Sequence, residues 1–230
     1  MTLHGYISND RGITASIKAM HLEMAMLGIH NDNVLGFDKV GFQRKDAVVS
    51  SFAEYLGVHA LSTAVDDSLG RLVTTKRPLD LALSEKGYFQ VQGADGVKLT
   101  RDGRFKLDKD GYLLTQINEH VLSNSGVPIK FSTVPKDLSQ IKIDDKGAIY
   151  MINPETLAKE HIADIGVVSE ENAAVLNPGV RQGYTEYSNV QIGTEFMKMV
   201  PTRRNYEANR KMFALQNSVL NSIIERLGTG

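Results

Sequence analysis

Val97-Lys98-Leu99-Thr100-Arg101-Asp102-Gly103-Arg104-Phe105-Lys106-Leu107-Asp108-Lys109-Asp110-Gly111-Tyr112-Leu113-Leu114 is the stretch that decides the fold. Three short apolar-containing runs alternate with two Asp-Gly turns. Asp-Gly pairs supply the positive φ of tight hairpin turns. Reading toward the N-terminus, Gly93-Ala94-Asp95-Gly96 is another turn, preceded by Tyr88-Phe89-Gln90-Val91 and by the alternating run Leu79 to Leu83. Reading toward the C-terminus, Asp144-Asp145-Lys146-Gly147 turns into Ala148-Ile149-Tyr150. Short strands at this rhythm, from about 71 to 168, predict an antiparallel all-β domain.

Both flanks have a different period. Ile13, Ile17, Met20, Met24 and Leu27 recur at helical spacing and form a heptad seam. The spacing predicts a helix over roughly 8–30, with Thr14 as a possible N-cap and with Gly28, Asn31, Asp32 and Asn33 ending the pattern. Near the other terminus Ile192, Met199, Tyr206, Phe213, Leu220 and Leu227 fall every seventh residue. The interleaved row is read as Phe196, Arg203, Arg210, Asn217 and Ile224. Pro201 predicts a kink near 197–201 or a helix that begins only after it, because proline lacks the N–H and clashes with the preceding turn. Gly228 marks the stop.

The fold class expected is α+β. N- and C-terminal helices pair as a coiled-coil-like layer, and an antiparallel all-β domain is inserted between them. The expected domains are 1–35 (N-terminal helix and linker start), 36–185 (β-rich domain with extended linker) and 186–230 (C-terminal helix).

Composition removes several function classes. With 26 Lys and Arg against 27 Asp and Glu, the formal net charge is -1, which excludes a global basic field for nucleic acid. The chain has no Cys, which excludes disulfide scaffolds, thiolate zinc sites, iron–sulfur clusters and cysteine nucleophiles. It also suits a chain that crosses a membrane unfolded. No apolar run approaches the ~18 residues of a spanning helix. Asn9, Asp10 and Arg11 break any signal-like apolar core, so no cleaved leader is expected.

Chemistry-bearing motifs are equally sparse. His4, His21, His30, His59, His120 and His161 form no HExxH or other tight ligand pair. Asp108–Gly111 and Asp144–Gly147 lack the loop length and terminal Glu of an EF-hand and read as hairpin turns. Gly228-Thr229-Gly230 follows a helix instead of preceding one, so it is no phosphate loop. No GxSxG elbow is present. The expectation is no enzyme, no cofactor, no metal and no small-molecule substrate. A glycan-cleaving enzyme would need two carboxylates across a cleft.

Several blocks in order resemble one family. Arg77-Pro78-Leu79-Asp80-Leu81-Ala82-Leu83 with Gly87-Tyr88-Phe89-Gln90-Val91-Gln92 resembles the central signature of bacterial flagellar rod and hook proteins. Leu99-Thr100-Arg101-Asp102-Gly103-Arg104-Phe105 and Asp110-Gly111-Tyr112-Leu113 extend it. Gly183-Tyr184-Thr185-Glu186-Tyr187-Ser188-Asn189-Val190 is similar to the family's lead-in to its last helix, and Arg204-Asn205-Tyr206-Glu207-Ala208-Asn209 to a run inside that helix. At 31–44, Asn33 and Gly41-Phe42 match, whereas Gly36, Asp38 and Lys39 stand where the family commonly has two asparagines and a threonine.

The resemblance implies a structural subunit of the basal-body rod, most like the proximal rod subunit, with the distal one next and the hook protein as an alternative. It implies helical polymerisation around a central export channel, in the periplasm, after export without a cleaved signal. The implied partners are copies of the chain, other axial proteins, the export apparatus and surrounding ring proteins, with no nucleic acid. Long seams have no partner face in an isolated helix, so they need each other or other chains. The expected subunit-interface residues are Ile13, Ile17, Met20, Met24, Leu27, Met199, Tyr206, Phe213, Leu220 and Ile224, with Arg203, Arg204, Glu207, Asn209 and Arg210 fixing register by inter-subunit polar contacts. A non-polymerising β-rich binding module with a helical oligomerisation stalk would instead form a monodisperse oligomer.

Overall fold

The computed structural model describes residues 3–49, 61–135, 137–154 and 156–228. His59, the His4 side chain, Thr229 and Gly230 lie outside the described residues. The chain divides into two compact units. One gathers Met1–Leu35, Lys45–Asp66 and Val190–Gly230; the other gathers Gly36–Arg44 and Asp67–Asn189. The fold is α+β, with antiparallel sheets inserted between an N-terminal and a C-terminal helix.

The helical unit is built on α1 (Leu3–Gly36) and α2 (Ile192–Gly228). It also holds a two-stranded antiparallel ribbon, β1 (Lys45–Val49) with β2 (Leu61–Val65), in the register Lys45 opposite Val65. Three sequence expectations are corrected here. Helix α1 extends beyond 8–30 at both ends, so Thr14, Gly28 and Asn31 to Asn33 are helix interior instead of cap and stop. Asn33 is fully buried, which tertiary bonds reward more than its weak helix propensity penalises. The stop comes at Gly36, where a Cβ would meet the Phe42 ring at 2.4 Å.

The third correction concerns Pro201. Helix α2 starts at Ile192 and continues past Pro201, so it does not begin only after the proline. The carbonyl that loses its donor belongs to Met197, which is 70% exposed, so solvent can bond it. One position on, the Thr202 hydroxyl donates to the Lys198 carbonyl at 2.9 Å and steadies the same turn.

The β unit is antiparallel throughout. Its central sheet holds β5 (Tyr88–Gly93), β6 (Gly96–Thr100), β7 (Phe105–Leu107), β8 (Leu113–Thr115), β9 (His120–Val121) and β13 (Val167–Val168), in the order β13-β5-β9-β8-β7 with β6 on β5. A second sheet orders β10 (Ile141–Ile143), β11 (Ala148–Ile152) and β12 (Lys159–Asp164). Two further pairs join segments distant in the chain: β3 (Arg71–Thr74) with β15 (Tyr184–Tyr187), and β4 (Leu81–Leu83) with β14 (Val180–Gln182).

Period-two patterning explains the core. In β5, Phe89 and Val91 are buried while Gln90 and Tyr88 are half-buried. They join Leu81, Phe105, Leu113, Ile129 and Ile149 in one apolar cluster. Phe89 and Phe105 meet edge to face with centroids 5.2 Å apart, a geometry favoured by the ring quadrupoles.

The turns divide into two kinds. Gly96 (φ 115°), Gly111 (φ 85°) and Gly147 (φ 91°) take positive φ in the β5–β6, β7–β8 and β10–β11 hairpins. Asp108 Oδ1 accepts from the N–H of Asp110 (3.0 Å) and Tyr112 (2.7 Å), and Asp144 Oδ1 from Lys146 (3.0 Å) and Ala148 (2.8 Å). Those carboxylates close their own loops. Arg101–Arg104 is different and corrects the sequence reading: β6 pairs with β5 and β7 with β8, so no hairpin joins β6 to β7. Gly103 serves close approach there, because a Cβ would lie 1.9 Å from the Leu81 carbonyl oxygen.

Arg101 is buried and anchors this crossing. Its Nε donates to Glu186 Oε2 at 2.9 Å and its Nη1 to the Gly87 carbonyl at 2.6 Å. Glu186 Oε1 accepts from the Gly70 N–H at 2.8 Å. The Arg101 and Glu186 blocks, 85 residues apart in sequence, thus meet in one buried ion pair. Charge-assisted bonds of this kind are the strong ones.

Candidate assembly interface

Within the helical unit, side-chain hydrogen bonds join α1 to α2. Ser16 Oγ donates to Gln216 Oε1 at 3.4 Å and to the Gly12 carbonyl at 3.0 Å. A Cβ at Gly12 would stand 2.4 Å from Gln216 Nε2, so the glycine lets the side chain in. At the other end of the pair, His30 Nδ1 lies 2.7 Å from Glu195 Oε2. Asn33 Nδ2 donates to the same oxygen at 3.2 Å and to the Lys45 carbonyl at 2.8 Å, while its Oδ1 accepts from the Lys45 N–H at 2.9 Å. Asn33 therefore ties α1, the start of β1 and the first turn of α2 together. Residues 12–16 meet 216 and residues 30–33 meet 195, so the helices run antiparallel.

The covered row of α2 is Glu195, Thr202, Asn209, Gln216 and Ile223, beside Met199, Tyr206, Phe213 and Leu220. This shifts the expected interleaved row by one position. Phe196, Arg203, Arg210, Asn217 and Ile224 are all exposed. The row at 195 escaped the sequence reading because its members are mostly polar, and an apolar search passes over them.

The expected interface residues are placed as follows. Ile13, Met20, Leu27, Met199, Tyr206, Asn209, Phe213 and Leu220 are half-buried. Ile17, Met24, Ile224, Arg203, Arg204, Glu207 and Arg210 are exposed. Arg203 Nε donates to Glu207 Oε1 at 3.2 Å along the same helix, an exposed i,i+4 pair worth only a few tenths of a kcal/mol. Met197, Val200, Met212, Leu215 and Val219 are also exposed on α2. A groove of about 420 Å³ runs between the helices, lined by Met24, Leu27, Arg203, Tyr206, Glu207, Arg210 and Lys211.

A surface helix normally buries its apolar stripe and shows a polar one. Here the covered side of α2 mixes Glu195, Thr202, Asn209 and Gln216 with Met199, Tyr206, Phe213 and Leu220, while Met197, Leu215 and Val219 stay exposed. Among the described residues no group of His, Asp or Glu could hold a metal ion, and no helix is long and apolar enough to cross a membrane.

Comparison with known proteins identifies the architecture. The family described as flagellar hook protein FlgE/F/G D1 domain matches residues 82–151, and the one described as flagellar basal body rod FlgEFG protein C-terminal matches residues 181–226. The flagellar basal-body rod protein FlgF of Caulobacter vibrioides is 35% identical over 173 residues, covering 69% of each chain. The chain belongs to the flagellar rod and hook protein family. FlgG of Bacillus subtilis is 25% identical over 262 residues, covering 93% of this chain and 98% of the relative. FlgF of Rhizobium meliloti is 29% identical over 222 residues, covering 87% and 88%. This rod-family chain is a structural component of the flagellar basal body.

The family's D1 match spans the Arg101 crossing, and its C-terminal match holds Glu186 and α2. The buried Arg101–Glu186 pair thus joins the two matched regions. Sequence reading placed both residues in signature blocks without pairing them. It did not single out Glu195, Asn33 or Gln216 as contacts; the one available signal was the second seven-residue row, 195-202-209-216-223.

Proposed function

We propose that this rod subunit polymerises helically through its terminal helices, with copies of itself and with other axial proteins, into the shaft around a central export channel. The observation that carries this is the outward apolar face of α2, with Met197, Leu215 and Val219 at 70%, 66% and 47% exposure. Large apolar side chains left in water at helical spacing gain free energy only when another chain covers them, roughly 1.5–3 kcal/mol for each fully buried. Contacts that join unlike faces propagate instead of closing, as a shaft requires. Ile17, Met24 and Ile224 are further exposed apolar side chains on the two helices. The half-buried Ile13, Met20, Leu27, Met199, Tyr206, Phe213 and Leu220 support it from the seam, and Arg203, Arg204, Glu207, Asn209 and Arg210 set its register.

The task of such a subunit is mechanical, and no reaction is assigned to it. The family setting supports passage through the flagellar export apparatus without a cleaved leader, a periplasmic position and contact with surrounding ring proteins. The Arg77-Pro78-Leu79-Asp80 block supports the proximal segment of the rod; relatives named FlgF and FlgG both match.

The test is substitution on the exposed face. Leu215→Asp and Val219→Asp leave the isolated chain folded by circular dichroism and remove it from purified basal bodies, with loss of swimming. Normal incorporation of either variant contradicts the proposal. A reconstruction of basal bodies locates the chain along the axis.

A further inference from the structure

The apolar face of α2 is interrupted by charge. Between Val200 and Met212 lie Arg203, Arg204, Arg210 and Lys211, against the single acid Glu207. Glu207 is bonded to Arg203, whereas Arg204, Arg210 and Lys211 have no acidic partner among the described residues. Over Ile192–Gly228 the chain carries six Lys and Arg and three Glu, so this helix is +3 while the remainder of the chain is -4, giving the total of -1. Arg210 and Lys211 rim the groove whose apolar side is Met24, Leu27 and Tyr206.

The helices of a second copy offer this groove little. Its own α2 is equally cationic. Among the described side chains of its α1, Glu23 has an oxygen buried and Asp32 lies 3.7 Å from Lys45. These acids offer little to three cations that have no acidic partner among the described residues, in a setting where like charges brought together cost free energy. The groove is also concave and carries Glu207, which suits an inserted side chain better than a flat anionic bilayer.

Resting on the rod reading above, we propose that the groove around Tyr206 docks an acidic, apolar-studded helix of a different axial subunit, and that copies of this chain stack through the apolar flanks on either side. The cations then decide which neighbour is accepted, while the apolar residues supply most of the binding free energy.

The test uses the full chain and two synthetic helices of about 20 residues, identical in their Leu and Ala face and carrying either Glu or Lys on the rim. The Glu helix binds and the Lys helix does not. Its affinity falls about tenfold between about 50 and 300 mM NaCl as the ions screen the contact. It falls about tenfold again in Arg210→Gln/Lys211→Gln and is kept in Arg210→Lys/Lys211→Arg. Self-association by sedimentation is undiminished in the double Gln variant and lost in Leu215→Asp. Equal binding of the two helices, or of the acidic helix by wild type and double Gln variant, overturns the proposal. So does salt-sensitive capture by anionic phosphatidylserine vesicles with no binding of the Glu helix. Failure of self-association alone would sink the rod reading and leave the peptide result standing.

Discussion

His30 Nδ1 and Glu195 Oε2 lie 2.7 Å apart across 165 residues of sequence, both side chains buried in the helical unit. Removing one partner of such a pair strands the other away from water. Glu195→Ala also takes an acceptor from Asn33. The expected loss is about 3 kcal/mol, against about 1 kcal/mol for Glu195→Gln, which keeps the shape. Urea unfolding followed at the helical dichroism band measures both. In His30→Ala/Glu195→Ala the combined loss is smaller than the sum of the single losses, since the two share one contact. Strict additivity would show that the pair is not coupled.

The β unit was legible because its rules are local. Asp95-Gly96, Asp110-Gly111 and the Asp144–Gly147 run announce hairpins, and Phe89 with Val91 shows period two. The helices were legible in kind but not in extent or phase. Gly28 and Pro201 are local punctuation that a long helix absorbs when packing and solvent satisfy the backbone. The phase of α2 shifted because a search for apolar residues picks out Phe196 and Ile224, which are exposed, and passes over Asn209 and Gln216, which are polar and half-buried. The Asp102-Gly103 pair misled because glycine serves two ends, positive φ and close approach, and only the fold tells them apart.

Arg101 and Glu186 give a prediction for the β unit. Glu186→Gln leaves a buried guanidinium without its counter-charge, at a cost of about 3 kcal/mol. Arg101→Lys does not rescue, because one ammonium cannot reach Glu186 and the Gly87 carbonyl in the geometry of the fork. Both variants lower the denaturation midpoint of the strands by tyrosine fluorescence. A midpoint unchanged from wild type in Arg101→Lys would mean the fork geometry is dispensable.

Gly103→Ala tests close approach without any charge. The new Cβ would stand 1.9 Å from the Leu81 oxygen and 3.0 Å from the Phe89 ring, both parts of the core. Backbone must move, and the expected cost is on the order of 3 kcal/mol. Gly96→Ala makes the contrast: nothing lies within 4 Å and only the positive φ is strained, so its cost stays near 1 kcal/mol. Thermal unfolding of the two variants ranks them, and the reverse order would refute the assignment.

Asp137 supplies the pH prediction. The Ser139 hydroxyl and then its N–H donate to the Asp137 carboxylate at 2.6 and 2.9 Å and hold its pKa below the ordinary aspartate value. A depressed folded pKa means stability that is present above the unfolded value and lost as pH falls through the folded one. An NMR titration of the Asp137 carboxyl therefore has its midpoint below that of an unperturbed aspartate, and Ser139→Ala moves it upward. Asp137 is exposed, so the effect is local to the 3-10 turn Leu138–Gln140.

The phase of α2 can be tested by neighbours of matched chemistry. Phe213 is half-buried in the single chain, and Leu215, two positions on, is 66% exposed. Phe213→Ala removes ring area covered within the chain and costs about 2 kcal/mol, while Leu215→Ala stays within about 0.5 kcal/mol in the unassembled protein. If the shaft covers Leu215 as proposed, the ranking narrows in the assembled state. The measurement pairs urea unfolding of the monomer with the dissociation temperature of filaments. If Leu215→Ala destabilises the monomer as much as Phe213→Ala does, the outward face is part of the chain's own core, and the interface assigned to it does not exist.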